Sequence, residues 1–308
     1  MTFRSSYISR LKRALVDGGV EGRTALLRKA VSPVSRMVDD FLSPRHAVSD
    51  RPVPPCVLLC CPPRTGSTFI YQVLARVVPC AYVANVHQLA PRLGTKLLSL
   101  HDMKRPQPAN LVSYYGHTRA LADVSEGNEF VDYWFTDNEQ GSIRKRFHET
   151  LAWIGASPER PAIIKNVSVY DRLSMLSEAV PELTFLRIVR DRQQSIESSL
   201  RAYRELGYIN PTPDGLRITE DDPLRTIVEQ VQLIEDRITR ELSEVSGEHV
   251  VTWEYEKFCE DPEAMIGELC TRIGVTPIWN SDMVRFTKST RKKVSTPESE
   301  RIAALLEC

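Results

Sequence analysis

Cys60–Phe69 reads CCPPRTGSTF, and it closes a continuous apolar run, Cys56–Cys61 (CVLLCC). A helix-like pattern follows from about Ser67 to Val78. A short apolar run bounded by a Pro-Pro turn suits a strand buried on both faces, so the stretch reads strand, tight turn, helix. Backbone amides at a helix start lack intrahelical partners and sit at the positive end of the dipole, which attracts an anion. Gly66 lets the backbone approach closely, and Arg64, Thr65, Ser67 and Thr68 add one fixed cation and three hydroxyls. The turn is therefore a candidate phosphate cradle, although Ser and Thr after a strand also serve as ordinary helix caps. It is not a Walker A loop, because GxxxxGK[ST] needs Lys after its second glycine and Ser67 stands there.

Outward from this turn, strand and helix signals alternate. Ala81–Val86, Pro161–Lys165, Leu183–Val189 and His249–Trp253 read as further strands. Helices are expected over Tyr170–Val180, about Gln193–Glu205, Leu224–Val245 and Pro262–Ile273. Apolar strands alternating with helices predict an α/β fold with a parallel sheet flanked by helices. Residues 104–156 interrupt the rhythm and read as an insertion over the sheet's working edge. Residues 1–52 read as a basic helical extension and linker, and 53–308 as the main domain.

The 308 residues carry 42% hydrophobic and 26% charged side chains, enough for a sizeable core. Lys plus Arg equals Asp plus Glu at 40 each, so no global charge points to nucleic acid. The longest apolar runs are too short to span a bilayer, and Met1–Arg13 lacks the apolar stretch of a secretory signal. Seven cysteines with no metal-type CxxC pair suggest reduced thiols and a cytoplasmic location, with Cys60 and Cys61 packed as small hydrophobes. Residues 1–36 hold eight basic side chains against Asp17 and Glu21, and Ile8, Leu11 and Leu15 recur at helical spacing within Ser5–Val16. Two readings stand for that segment: contact with a membrane surface or partner, or packing on the main domain.

Two further stretches bear on the phosphate loop. Leu183–Val189 runs into Arg190-Asp191-Arg192 and then a helix carrying Ser195, Ser198 and Ser199. Arg190 and Ser198 stand eight residues apart and are placed to converge on a second phosphate. Val251–Asp261 (VTWEYEKFCED) is a strand end followed by a capped helix beginning at Pro262.

In this order the three stretches resemble the sulfotransferase superfamily that uses 3′-phosphoadenosine 5′-phosphosulfate (PAPS), over about residues 53–275. PPRTGST is similar to its 5′-phosphosulfate loop, LRIVRDRQQSIESSL to its 3′-phosphate segment, and VTWEYEKFCEDPEAMIGELCTRIGV to a run near its C-terminal end. The resemblance implies a P-loop-like sulfotransferase fold and transfer of a sulfuryl group from PAPS to a hydroxyl or amine, with no metal. It places Arg64 on the phosphosulfate bridge, Thr65, Gly66, Ser67 and Thr68 on the 5′-phosphate, and Arg190 and Ser198 on the 3′-phosphate. Phe69 and Tyr255 fall where relatives contact the adenine, and packing is the competing role for each. Arg291 and Lys292 resemble the basic co-substrate loop without its glycine, and a solvated charge run is the other reading. Arg192 replaces the family's usual Pro.

Arg64 and Lys165, the latter at a strand end, are the expected cations for charge developing on the leaving oxygen. The cytosolic steroid and phenol branch carries Lys-x-His there, whereas this chain reads Lys165-Asn166-Val167, so that base is absent. His87, just after the second strand, is the first candidate base, with Glu126 and Glu129 behind it. The acceptor is a small molecule, sugar or lipid, and aromatics of the insertion (Tyr114, Tyr115, Phe130, Tyr133, Trp134, Phe135, Trp153) either line its pocket or pack under a lid. A P-loop kinase or a catalytically silent nucleotide-binding protein are the alternatives. Oligomeric state is not legible.

Overall fold

The computed structural model describes residues 19–42, 53–100, 111, 113, 116–219, 221–279 and 294–307. Its centre is a five-stranded parallel sheet in the order β2-β3-β1-β4-β5, formed by β1 (Cys56–Cys60), β2 (Ala81–Tyr82), β3 (Ala162–Lys165), β4 (Leu183–Val189) and β5 (Val250–Glu254). Every residue of β1 is buried, as its unbroken apolar sequence requires of a central strand covered on both faces. In register, Leu58 lies beside Ile164 on β3 and Phe185 on β4. Side chains alternate across the sheet, so Leu58 enters a core with Phe130, Trp134 and Phe147. Val57 and Leu59 enter the opposite core with Ile70, Leu74 and Phe258.

The parallel sheet brings the C-terminal ends of its strands to one edge, and the helices begin there. Ser67–Val77 follows β1, Arg192–Leu206 follows β4, and Tyr255–Glu260 follows β5. Asp191 caps Arg192–Leu206 by accepting from Gln194 N at 2.8 Å. Arg192 is thus the first helical residue, a position where Pro is favoured, and here its Nε pairs with Glu235 at 2.7 Å. Asp222 and Asp261 cap Pro223–Ser243 and Pro262–Arg272 in the same way, each ahead of a Pro.

The second strand is shorter than its apolar run predicts. After Tyr82 the chain leaves the ladder: Val83 N donates to the Tyr71 hydroxyl at 3.0 Å, and Ala84 bridges antiparallel to Val124. A 3-10 turn, Asn85–Gln88, occupies the expected strand end. The insertion holds two helices, Asn128–Trp134 and Gln140–Trp153, whose aromatics enter the core; Trp134 and Phe147 rings lie 4.9 Å apart. The cysteines Cys56, Cys60, Cys61, Cys80 and Cys270 are buried and outside any disulfide.

The expected helix Ser5–Val16 and residues 43–52 of the expected extension and linker lie outside the described residues. Within the expected helical extension, the helix Gly19–Leu42, beyond the stretch whose spacing read as helical, lies against the domain. Arg28 Nη2 donates to the Thr118 carbonyl at 2.9 Å, Ser32 Oγ to the Gln88 carbonyl at 2.9 Å, and Asp39 accepts from Arg92 N and Leu93 N at 3.1 and 3.0 Å.

Tyr71 substitutes for the ladder where β2 ends, since its buried hydroxyl also donates to the Ile163 carbonyl at 3.1 Å. Tyr71→Phe leaves Val83 N–H without that acceptor inside the core. The expected loss is about 1–3 kcal/mol of unfolding free energy, read as a lower denaturant midpoint at unchanged slope.

Candidate active site

The turn after β1 holds two left-handed residues, Arg64 at φ 68° and Gly66 at φ 85°. For Arg64 this conformation is uncommon and costs of order 1–3 kcal/mol. Gly66 is required twice over, because a Cβ there would stand 2.2 Å from Tyr255 Cε2. Gly66 is also the N-cap of Ser67–Val77, with no side-chain cap and no acidic residue in the first turn, so the dipole's positive end is uncompensated by either. The Thr65 hydroxyl donates to the Pro62 carbonyl at 3.1 Å and lies buried. It locks the turn, and its side chain is not among those lining the cleft beyond.

That cleft has a volume of about 310 Å³. Arg64, Gly66, Ser67, Thr68 and Phe69 line it from the turn, Lys165 and Val167 from the end of β3, and Arg190 and Ser198 from the strand-helix junction after β4. Arg64 Nε donates to Ser198 Oγ at 3.3 Å, and Arg190 Nη1 donates to the Arg64 carbonyl at 3.2 Å. Arg190 also lies over the Tyr255 ring, 4.5 Å from its centroid. Tyr255 packs behind the turn, and burial raises its hydroxyl to about 12, assisted by Cys259. Phe69 lines the cleft and meets Phe258 edge-on at 6.3 Å.

Lys165 is 1% exposed. Its ammonium pairs with the Glu126 carboxylate and donates to Thr68 Oγ1 at 3.1 Å, which ties the insertion to the helix start after β1. Asn166 holds the same segment, donating to the Glu126 carbonyl at 2.9 Å and Asn128 Oδ1 at 2.8 Å. Glu126 lines the cleft, and a Cβ on Gly116 would stand 3.1 Å from its Oε1. Val167 lines the cleft where the Lys-x-His pattern would place its imidazole.

His87 is elsewhere. It sits inside the 3-10 turn, 1% exposed, with Nδ1 accepting from Ala84 N at 2.9 Å and Nε2 3.1 Å from Thr95 Oγ1. It does not line the cleft, and neither does Glu129. The chain's turn at Val83, which no local signal announced, carries His87 into the core and away from the strand ends. Arg291 and Lys292 lie outside the described residues.

Among the insertion aromatics, Phe130, Tyr133, Trp134, Phe135 and Trp153 do not line the cleft, and Tyr114 and Tyr115 lie outside the described residues. The insertion contributes Gly116, His117, Glu126 and Asn128 instead. The opposite wall comes from Tyr203, Tyr208, Ile209 and Gln230, on the end of Arg192–Leu206, the loop after it and Pro223–Ser243. These residues carry no motif. Only the amphipathic pairing of the two helices, which share the cluster of Ile196, Leu200, Ile227 and Val231, hinted at their meeting.

At the strand ends of this parallel sheet the turn after β1, three cations and a carboxylate line one cleft of an α/β fold. The family model described as "Sulfotransferase family" matches residues 55–281, and the chain belongs to that family. No curated protein matches. Among solved structures, a sulfotransferase from Alicyclobacillus acidocaldarius is similar at 15% identity, covering 83% of this chain and 92% of that one, with a TM-score of 0.47. Sulfotransferase STF1 from Mycobacterium tuberculosis is 12% identical over 96% and 83%, with a TM-score of 0.48. Mouse sulfotransferase SULT7A1, complexed with PAP, is 12% identical over 90% and 89%, with a TM-score of 0.38.

Burial lowers the His87 imidazole to about 4 from 6.5. The unfolded chain therefore binds this proton first as pH falls, and stability declines from pH 6.5 to about 4 before levelling. The expected loss is about 3 kcal/mol. Denaturant titrations across this range should show a shallower pH dependence in His87→Gln than in the wild type.

Proposed function

We propose that this chain transfers the sulfuryl group of PAPS to a hydroxyl or amine of an acceptor, with Glu126 as the base. The observation that carries this reading is the closure of Arg190 and Ser198 onto the turn at Arg64, which brings the two segments that resemble phosphate-binding motifs into one cleft. A doubly phosphorylated nucleotide matches that pairing. The fit is supported by Arg190 Nε, buried with no hydrogen-bond partner and 3.8 Å from the Glu256 carboxylate, and by the uncapped helix start at Gly66.

In this reading Gly66, Ser67 and Thr68 hold the 5′-phosphate by backbone and hydroxyl, and Arg190 and Ser198 hold the 3′-phosphate. PAPS supplies a sulfuryl group joined to a phosphate through a bridging oxygen. The S–O bridge bond breaks as the acceptor oxygen or nitrogen bonds to sulfur, and the acceptor proton passes to Glu126. Lys165 and Arg64 neutralise the charge gathering on the bridge oxygen, and the buried setting of Lys165 strengthens that attraction. Glu126 takes the role first expected of His87 because it shares the cleft with Lys165, whereas His87 has both ring nitrogens engaged in the core.

Titration with 3′-phosphoadenosine 5′-phosphate should stabilise the protein, and labelled sulfate from PAPS should appear on an acceptor. Stabilisation by ATP with Mg²⁺ alone would favour a kinase, and nucleotide binding without transfer a silent protein. Arg190→Ala should weaken binding of this nucleotide by roughly tenfold or more, since a charge-assisted phosphate contact contributes about 1.5–3 kcal/mol. Affinity for the analogue lacking the 3′-phosphate should stay the same. Glu126→Gln should cut turnover by roughly 10²–10⁴-fold at near-normal nucleotide affinity. A variant that keeps its turnover excludes Glu126 as the base.

A further inference from the structure

The helix Gly19–Leu42 has two faces, and only one is accounted for by the domain. Arg28, Ser32 and Asp39 make the docked face through the hydrogen bonds given above. On the other side, Leu27, Val31, Val34, Met37 and Phe41 are 66%, 46%, 63%, 68% and 88% exposed. At 100° per residue these five fall within an arc of about 120°, centred well away from the docked face. They are most of the large hydrophobic side chains exposed among the described residues, gathered on one helix. A contiguous apolar strip of this kind marks an interaction surface.

Its occupant is argued from width and charge. A self-pairing coiled coil buries a narrow seam, whereas Met37 widens this strip toward the breadth of a helix lying on a flat apolar boundary. Apart from the docked Arg28 and Asp39, the sequence through residue 42 carries seven basic residues (Arg4, Arg10, Lys12, Arg13, Arg23, Lys29, Arg36) against Asp17, Glu21 and Asp40, although the whole chain is neutral. A second copy would bring this positive excess against itself. A surface of anionic headgroups brings the opposite charge. No described helix is long and apolar enough to cross a membrane, so the contact is in-plane.

We propose that the Leu27–Phe41 face docks this protein on a membrane surface bearing anionic lipid headgroups. The chemistry is that of an interfacial amphipathic helix: apolar side chains enter the headgroup-acyl boundary, and basic side chains gather at the charged surface. The contact does not depend on sulfuryl transfer, and its test uses no activity readout.

The test is co-sedimentation of the full chain with vesicles of phosphatidylcholine containing about 30% phosphatidylglycerol, against phosphatidylcholine alone. Binding to the anionic vesicles should be about tenfold stronger and should fall as salt rises. The variant Leu27→Gln/Val34→Gln/Phe41→Gln should lose about tenfold or more of that binding. These side chains are exposed, so its melting temperature should match the wild type. Equal pelleting with neutral vesicles, or unchanged binding by the triple variant, overturns the proposal. So does a wild type that ignores vesicles, whether it sediments as a dimer that the variant breaks, which assigns the face to a second copy, or as a monomer, which leaves residues 1–18 or solvent as its cover.

Discussion

Strand β1 has neighbours on both edges and a packed core on both faces, and this enclosure governs where the cleft can be. A strand so confined leaves the sheet only at its ends. Its C-terminal exit must turn at once, within Cys61–Gly66, before the next helix covers the sheet. That turn accommodates two left-handed residues, one of them a non-glycine, because the surrounding strands overdetermine it. β3 and β4 flank β1 in parallel, so Lys165 and Arg190 arrive beside the turn from either side. The cations of the site are gathered by strand order.

Gathering cations carries a desolvation cost, and the structure offsets it in two ways. Lys165, nearly inaccessible, has a carboxylate and a hydroxyl as partners. Arg190 spreads its guanidinium over an aromatic face and donates to a backbone carbonyl, while Glu256 stands near. Lys165 and Arg190 are thus held in place by the chain's own groups, which is the preorganisation that the proposed binding of an anion needs.

The fold was legible because its strands are short unbroken apolar runs and its helices carry apolar residues at helical spacing, with a capped start ahead of Pro262. Arg64, Gly66, Ser198 and Arg190 were legible for the same reason: each follows a strand end by a fixed number of residues. Residues whose position depends on distant packing were not. His87 looked like a residue just beyond a strand, but Tyr71 and the 122–125 segment bend the chain at Val83 and bury it. Thr65 belonged to the motif, yet its hydroxyl closes the turn. The insertion's aromatics left pocket lining and packing both open, and Phe130 and Trp134 fill the core on one side of β1. The wall formed by Tyr203, Tyr208 and Ile209 depends on two helices meeting across a sequence gap, where amphipathic faces hint at a pairing and do not say which residues will edge the cleft.

The sheet's two edges are guarded differently. At β2 the ladder stops after two residues, and the antiparallel contact of Ala84 with Val124, together with Ser125 N donating to the Val83 carbonyl at 2.8 Å, covers the backbone beyond. At β5 the strand is five residues long, and Thr252 and Glu254 are exposed, with Glu254 paired to Lys257 at 2.7 Å. A strand from another molecule that tried to extend the sheet would find a capped edge on one side and a charged one on the other. The architecture that concentrates cations at the strand ends thereby discourages growth of its apolar sheet by strand addition.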